Sequence, residues 1–435
     1  MTPPPAPPPD PAPEHLWEAA PLRAGFWFSV LALIYLVDMA DRAVIGAAFP
    51  AIKQAFHVSD GRLGLLGSAL NLALGLLVIP SGLLIDRWSR KGMISLMVGV
   101  WSLATWLTGR ATAWGSLLGS RMLVGAGEAG YNPAGYALIG AWFPPRLRGR
   151  MIGLFNTAQP MGSLIGLGLG GIIAYRYGWR QAFGLLALPG FALAHLILWA
   201  PDYRTRQEPE RQHPPVLPTL LGLWRAPSLR CIYLSQLSIA FFIGGYTIWA
   251  PTLFMRTYHL NLEQASRAMI LPLAVAMLGP FLGGWLSDRL MRTRPDGRLL
   301  SASLMLAGAL PLYLAGLLGA LRGMPMAGVI ALLTLAQVCF AAHWGAVVTA
   351  SLELVPPSLR ATSQGFLPLF QCLSGAWSAT ATGLLSDHLG LGTALLFTVT
   401  IGILPGIWLL LNARGTQAPD QDALMLWSRG LETGS

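Results

Sequence analysis

The chain has 435 residues, of which 54% are hydrophobic and only 11% charged, far below the roughly 25% charged share of soluble domains, which excludes an ordinary soluble enzyme. Its formal charge of +10 does not point to nucleic acid, because Lys and Arg sit in short breaks between apolar runs and not on one face with interleaved aromatics. Cys231, Cys339 and Cys372 lie inside apolar runs without disulfide or metal spacing, so no redox site, metal centre or cofactor is expected.

The opening stretch MTPPPAPPPDPAPEH is too rich in proline for a helix and lacks the apolar core of a signal peptide, so residues 1–25 read as an extended cytoplasmic tail. A membrane span needs about 20 predominantly apolar residues. Runs of that kind predict helices at 26–50, 63–85, 92–111, 115–142, 150–174 and 181–199, a first bundle over 26–199. The longest break, 200–227, contains PDYRTRQEPERQHPP and reads as a cytoplasmic linker. Six more helices at 228–254, 265–288, 299–320, 325–350, 360–386 and 390–412 form a second bundle over 228–412. Residues 413–435 read as a polar, poorly ordered cytoplasmic tail in which ALMLW alone is suited to rest on a surface. With both termini cytoplasmic, the inner loops and tails hold 19 of the 29 Lys and Arg residues and the outer loops 8, as the positive-inside rule requires.

The halves repeat each other. GLLIDR (Gly82, Asp86, Arg87) recurs 202 positions later as GWLSDR (Gly284, Asp288, Arg289), and FPPRLRGR recurs 212 positions later as VPPSLRAT. The predicted fold is therefore an all-α integral membrane protein with twelve transmembrane helices in two pseudo-symmetric six-helix bundles, an architecture of secondary transporters.

From about Gly25 to Asn412 the chain resembles the major facilitator superfamily: GLLIDRWSRK looks like its signature loop between helices 2 and 3, and GGWLSDRLMR like the degenerate second copy. Within it, DMADR on helix 1 and RMLVGAGEAGYNPAG on helix 4, followed by FPPRLRGR, resemble the Spinster-like lipid transporters and their bacterial relatives. The same segments are similar to the anion:cation symporters, which share a DR on helix 1 and a GEG-like helix 4. The resemblance implies a proton-coupled secondary transporter of the bacterial inner membrane, working as a monomer by alternating access on a lysolipid or another amphipathic molecule. A proton symporter for small organic anions and a drug/proton antiporter are the alternatives. There is no HExxH, no Ser/His/Asp arrangement and no P-loop in the sequence, so neither catalysis nor ATP drive is expected.

Only Asp38 and Asp41 on helix 1 and Glu128 on helix 4 are acids deep within spans. A charge at the bilayer centre costs about 2.5–3.5 kcal/mol on insertion scales, so these carboxylates need partners or protons. Arg42 follows Asp38 by four residues and Arg121 precedes Glu128 by seven, which places each pair on one helical face. One network of three acids and two arginines is expected. Asp41 and Glu128 are its proton-coupling pair, Asp38 lies one turn away, and Arg42 and Arg121 are switchable partners or hold a substrate headgroup. The family resemblance carries proton coupling to the same helix 1 and helix 4 acids; a static salt-bridge network is the competing reading.

Gly82, Asp86, Arg87 and Arg90, with Asp288 and Arg289 in the second copy, resemble the family's gating motif, whose aspartate contacts the opposite bundle. Gly162, Gly166 and Gly170 recur at the four-residue spacing of close helix packing. Tyr131, Asn132 and Gln159 in the first half, and Phe241, Tyr246, Trp249, Gln337, His343 and Gln371 in the second, are candidates for the substrate cavity, although a lone histidine such as His343 is more often a packed residue. A charged wall in one half facing an apolar and aromatic wall in the other suits an amphipathic substrate.

Overall fold

A computed structural model describes residues 16–87, 89–201, 216–356 and 360–433. Its first half holds α1 (Leu16–Ala19), α2 (Pro21–Phe56), α3 (Asp60–Arg87), α4 (Arg90–Arg110), α5 (Trp114–Glu128), α6 (Tyr131–Trp142), α7 (Pro145–Asn156), α8 (Ala158–Tyr177) and α9 (Trp179–Ile197). After α10 (Val216–Arg225) the second half holds α11 (Pro227–Tyr258), α12 (Leu262–Ala276), α13 (Gly279–Met291), α14 (Gly297–Leu321), α15 (Met326–Leu354), α16 (Arg360–Leu389) and α17 (Leu391–Thr433). The pairs α5 and α6, α7 and α8, and α12 and α13 are interrupted rods, so each half contributes six spans to a twelve-span fold. Eight of the described helical stretches are long and apolar enough to cross a membrane by length and composition alone.

The repeat seen in the sequence reappears in the backbone. The first rod of each half ends at a histidine in the left-handed region, His57 with φ 50° and His259 with φ 52°. The fifth rod of each half is followed by a glycine with positive φ, Gly178 at 89° and Gly390 at 80°, where a side chain would be strained. Large apolar side chains face outward, including Phe281 at 77% and Trp377 at 63% exposure; a water-soluble surface does not carry such a belt.

The first and last described helical segments, α1 and the end of α17, lie at one end of the bundles. Trp17 packs on Phe143 with ring centroids 5.4 Å apart, and the Trp142 indole N–H donates to the carbonyl of Pro201, at the start of the linker, at 3.3 Å. On the other half, Gly222 of α10 seats the ring of Trp427, which a Cβ would approach to 2.3 Å. We call this the linker end and its opposite the distal end.

The expectation of a poorly ordered polar tail is corrected here, because α17 continues through Thr433. Polar partners far away in sequence hold the extension. The Asp420 carboxylate accepts the backbone N–H of Ser228 at 2.6 Å, capping the start of α11. Gln421 donates to the Glu353 carbonyl at 3.2 Å, and Arg414 pairs with Asp296 at 2.6 Å. Leu424, in the ALMLW stretch, is buried, so that segment packs against its own bundle.

Candidate functional site

The glycines of α8 set the position of α2. A Cβ on Gly166 would fall 2.2 Å from the Ala40 carbonyl oxygen, so only glycine lets the two backbones meet beside the turn that carries Asp38, Asp41 and Arg42. Gly162 makes the same approach to the Leu36 carbonyl, and Gly170 leaves room for the Val44 side chain. On α5, Gly125 is seated against the Leu70 carbonyl of α3 with equally little room. The rod then breaks between Glu128 and Tyr131, which leaves Glu128 at the last turn of α5, facing α2.

The three acids and two arginines form one cluster. Arg42 donates from Nε to Asp38 at 3.2 Å and places Nη2 2.7 Å from Glu128. Arg121 donates from Nη1 to Asp41 at 3.1 Å. The expected pairing of Arg121 with Glu128 is thereby corrected: seven residues along a helix separate them by about 10 Å of rise, and α2 offers each a nearer partner. Asp38, Asp41, Glu128 and Arg121 are all at most 3% exposed, while the Arg42 side chain is 26% exposed. Among the described residues, Asp41 Oδ1, Glu128 Oε1 and Arg121 Nε have no hydrogen-bond partner. With every group ionised, the cluster carries one surplus negative charge.

A cavity of about 210 Å³ opens beside the cluster. Arg42, Arg121, Asn71, Gln159 and Ser163 bring polar groups from the first half, and Ile243, Ile248 and Leu273 bring an apolar wall from the second. Of the candidates for a substrate cavity, Gln159 lines it. The others sit elsewhere. Tyr131 is buried in the first bundle, its hydroxyl donating to the Leu31 carbonyl at 2.5 Å, and Asn132 follows it on α6 outside the lining. Tyr246 stacks on Phe242 with centroids 5.2 Å apart inside the second bundle. Gln337 accepts from the Tyr313 hydroxyl, and His343 is buried with Nδ1 against the Phe340 carbonyl. The Phe241 carbonyl accepts from Ser378, and Gln371 donates to Gln236 at 3.5 Å. Trp249 is fully buried near the distal end, its indole N–H donating to the Ala379 carbonyl at 3.0 Å. Sequence reasoning passed over Asn71 and Ser163, single polar residues in apolar runs with no motif around them.

The side chains of Gly82, Asp86 and Arg87 lie outside the described ones. Arg90 opens α4, and its neighbour Lys91 donates to the Ala200 carbonyl at 3.1 Å. In the second copy, Asp288 pairs at 3.6 Å with Arg298, which also holds Glu353 at 2.6 Å, and Arg289 lies 5.4 Å from the Trp285 ring centre. These contacts of Asp288 and Arg289 stay within their own bundle.

The sequence model of the Major Facilitator Superfamily matches residues 31–379. Protein spinster homolog 1 of Bos taurus is 31% identical over 392 residues, covering 83% of this chain and 72% of that protein. The hexuronate transporter of Bacillus subtilis (strain 168) is 25% identical over 377 residues, covering 83% and 87%. The crystal structure of a bacterial homolog to the human lysosomal transporter Spinster, in an inward-facing and occupied conformation, superposes with a TM-score of 0.79 at 23% identity, over 91% of this chain and 98% of that one; this likeness concerns the fold. Twelve spans in two matched halves, a charged cluster against a central cavity, and a family match over most of the length agree: the chain belongs to the major facilitator superfamily, as a Spinster-like membrane transporter and not an enzyme.

Proposed function

We propose that the chain is a proton-coupled carrier that moves a molecule with an anionic head across the membrane by alternating access. The observation that carries this reading is the uneven charge of the central cluster, in which Asp38, Asp41 and Glu128 share only Arg42 and Arg121. An uncompensated carboxylate at that depth is costly, and a proton completes the set. Arg42 is the switching member, since it lines the cavity and holds two carboxylates at once. An anion taken by Arg42 competes with Glu128, and Glu128, losing its cation, takes up a proton. Substrate and proton then load together. Asp41, held by Arg121 through one oxygen while the other is unpartnered, is the second coupling acid.

The Spinster-like resemblance favours a lysolipid, its head on the arginines and its chain along the apolar wall of Ile243, Ile248 and Leu273. A second reading, a small organic anion, is favoured by the cavity, whose volume of about 210 Å³ is below the roughly 300–1,000 Å³ of pockets that enclose drug-sized ligands, and by the likeness to a hexuronate transporter. The placement of Lys and Arg supports a cytoplasmic linker end, and we take a bacterial inner membrane as the setting and a single chain as the working unit.

The test is proton movement into proteoliposomes containing a pH-sensitive dye, on adding a lysolipid and, separately, glucuronate. Lysolipid-triggered proton flux that Glu128→Gln and Asp41→Asn each abolish is the expected result. Flux triggered by glucuronate alone establishes the organic-anion carrier instead. Substrate uptake without proton flux, unchanged in both variants, reduces the cluster to a static ion-pair network.

A further inference from the structure

A second charged cluster closes the distal end, where none of the central residues reach. Its hub is Asp60, the first residue of α3, which is 2% exposed. Arg256 of α11 grips its carboxylate with both terminal nitrogens, Nη1 to Oδ2 at 2.6 Å and Nη2 to Oδ1 at 2.7 Å. Ser386 of α16 donates to Oδ2 at 2.7 Å, and Lys53 of α2 reaches Oδ1 at 2.6 Å. Beside it the Asp387 carboxylate of α16 accepts the backbone N–H groups of Asp60 and Gly61, each at 2.8 Å, capping α3 from the other half. Apart from Lys53, every one of these partners belongs to the opposite bundle. The backbones are correspondingly close: a Cβ on Gly64 would fall 2.2 Å from the Ala379 carbonyl oxygen, and one on Gly383 would fall 2.2 Å from that of Asp60.

We propose that Asp60, gripped by Arg256 and Ser386 and joined to Asp387, is the latch that holds the distal end shut and must be released each time the transporter opens to that side. An ion pair that merely stabilised a bundle would join helices that move together. This one joins α3 to α11 and α16, which separate when the two bundles rock apart. A bidentate arginine on a buried carboxylate is strong and directional, so the contact favours one end state sharply and is lost in the other. It is also reachable. Lys53 and Arg256 line a cavity of about 820 Å³ on the distal surface, together with His57 and His259, so water can solvate both cations once Asp60 leaves them. The inference rests on two-bundle motion and not on the identity of the substrate or on proton coupling.

Spin labels at Arg62 on α3 and His388 on α16, both exposed, report the distal separation by double electron–electron resonance in lipid nanodiscs, in a chain whose native cysteines are replaced. The parent gives mainly the short distance. Asp60→Asn and Arg256→Gln each raise the share of longer distances at least about tenfold, as expected for losing a charge-assisted contact, whereas Asp60→Glu keeps the short distance and Lys53→Gln, within one bundle, has the smallest effect. Arg256 is partly exposed, so Arg256→Gln tests the latch even where Asp60→Asn fails to fold. Parent-like distances in a monodisperse Arg256→Gln variant overturn the proposal, as does a Lys53→Gln effect equal to that of Arg256→Gln, which would mark Asp60 as a local prop of the α2–α3 turn.

Discussion

The central and distal clusters both set carboxylates against cations and differ in two respects that fix what each can do. At the centre, three carboxylates share two guanidiniums, and all five groups belong to the first bundle. At the distal end, the charges of Asp60 and Asp387 balance those of Lys53 and Arg256, and every contact except that of Lys53 with Asp60 crosses between bundles. A surplus charge inside one rigid body invites a proton without resisting motion. A balanced set across two bodies resists motion and has no use for a proton. On the proposed reading, the comparison separates coupling from gating and assigns one to the middle of α2 and the other to its distal end.

The largest way to break this comparison is at Glu128. Glu128→Gln removes the surplus charge while keeping size and shape, so the protein stays folded and substrate-triggered proton flux falls to background. Flux at the parent level in this variant assigns the coupling proton to another group. Arg121→Met acts differently. It leaves Asp41, 2% exposed, with an uncompensated buried charge, a loss of about 3–5 kcal/mol. A fall in the thermal midpoint far larger than that of the double variant Arg121→Met with Asp41→Asn is the expected signature; equal falls mean that Arg121 contributes packing and not charge.

How much of this was legible in the sequence follows the range of the interactions involved. The six-plus-six spans, the repeat and the three intramembrane acids were readable because each is a local departure from an apolar background. The Arg121–Glu128 pairing was misread because spacing along one helix says nothing about what a second helix offers, and Asp41 lies 80 positions away. The aromatic candidates Tyr131, Tyr246 and Trp249 fill bundle interiors or the distal seam, since period and composition do not tell an inward face from a cavity face. Asp60 drew no notice at all. An acid at the start of a helix is an ordinary sight, and its meaning appears only when Arg256 and Ser386, each more than 190 positions away, arrive beside it. The tail beyond Gly415 was misjudged for the same reason, its order depending on Ser228 and Glu353.

A smaller effect sharpens the structural side of the comparison. If α8 holds α2 rigidly at the cluster, Gly166→Leu forces the helices apart at Ala40 and costs about 1–3 kcal/mol through overpacking. Heat-induced loss of monodisperse protein should shift accordingly, with reduced substrate-triggered proton flux even below the midpoint. A variant with parent stability and flux shows that α2 can move away from α8 without disturbing Asp41 and Arg42.

The smallest expected effect is none, and it discriminates between the clusters. Burial alone pushes the Asp60 carboxyl toward the neutral form, but the hydrogen bonds from Arg256, Lys53 and Ser386 outweigh it and hold the group well below the usual carboxylate range. A carboxyl depressed in this way contributes its full stabilisation above its ordinary value, near 4, and loses it only as the pH falls from there toward the lowered one. Between pH 5 and 8 the latch therefore keeps constant strength. Of the groups facing Asp60, Lys53 and Arg256 supply its two cations and Ser386 does not titrate, the Asp387 carboxylate is engaged with the backbone N–H groups of Asp60 and Gly61, and His57 and His259 line the vestibule without pairing to Asp60. The shift in distal distances caused by Asp60→Asn should accordingly be the same size at pH 5 and pH 8, measured in a background carrying both Glu128→Gln and Asp41→Asn so that neither proposed coupling acid contributes. A shift that shrinks at pH 5 means that Asp60 takes up a proton there, and the division between a proton-carrying centre and a proton-silent latch would have to be drawn elsewhere.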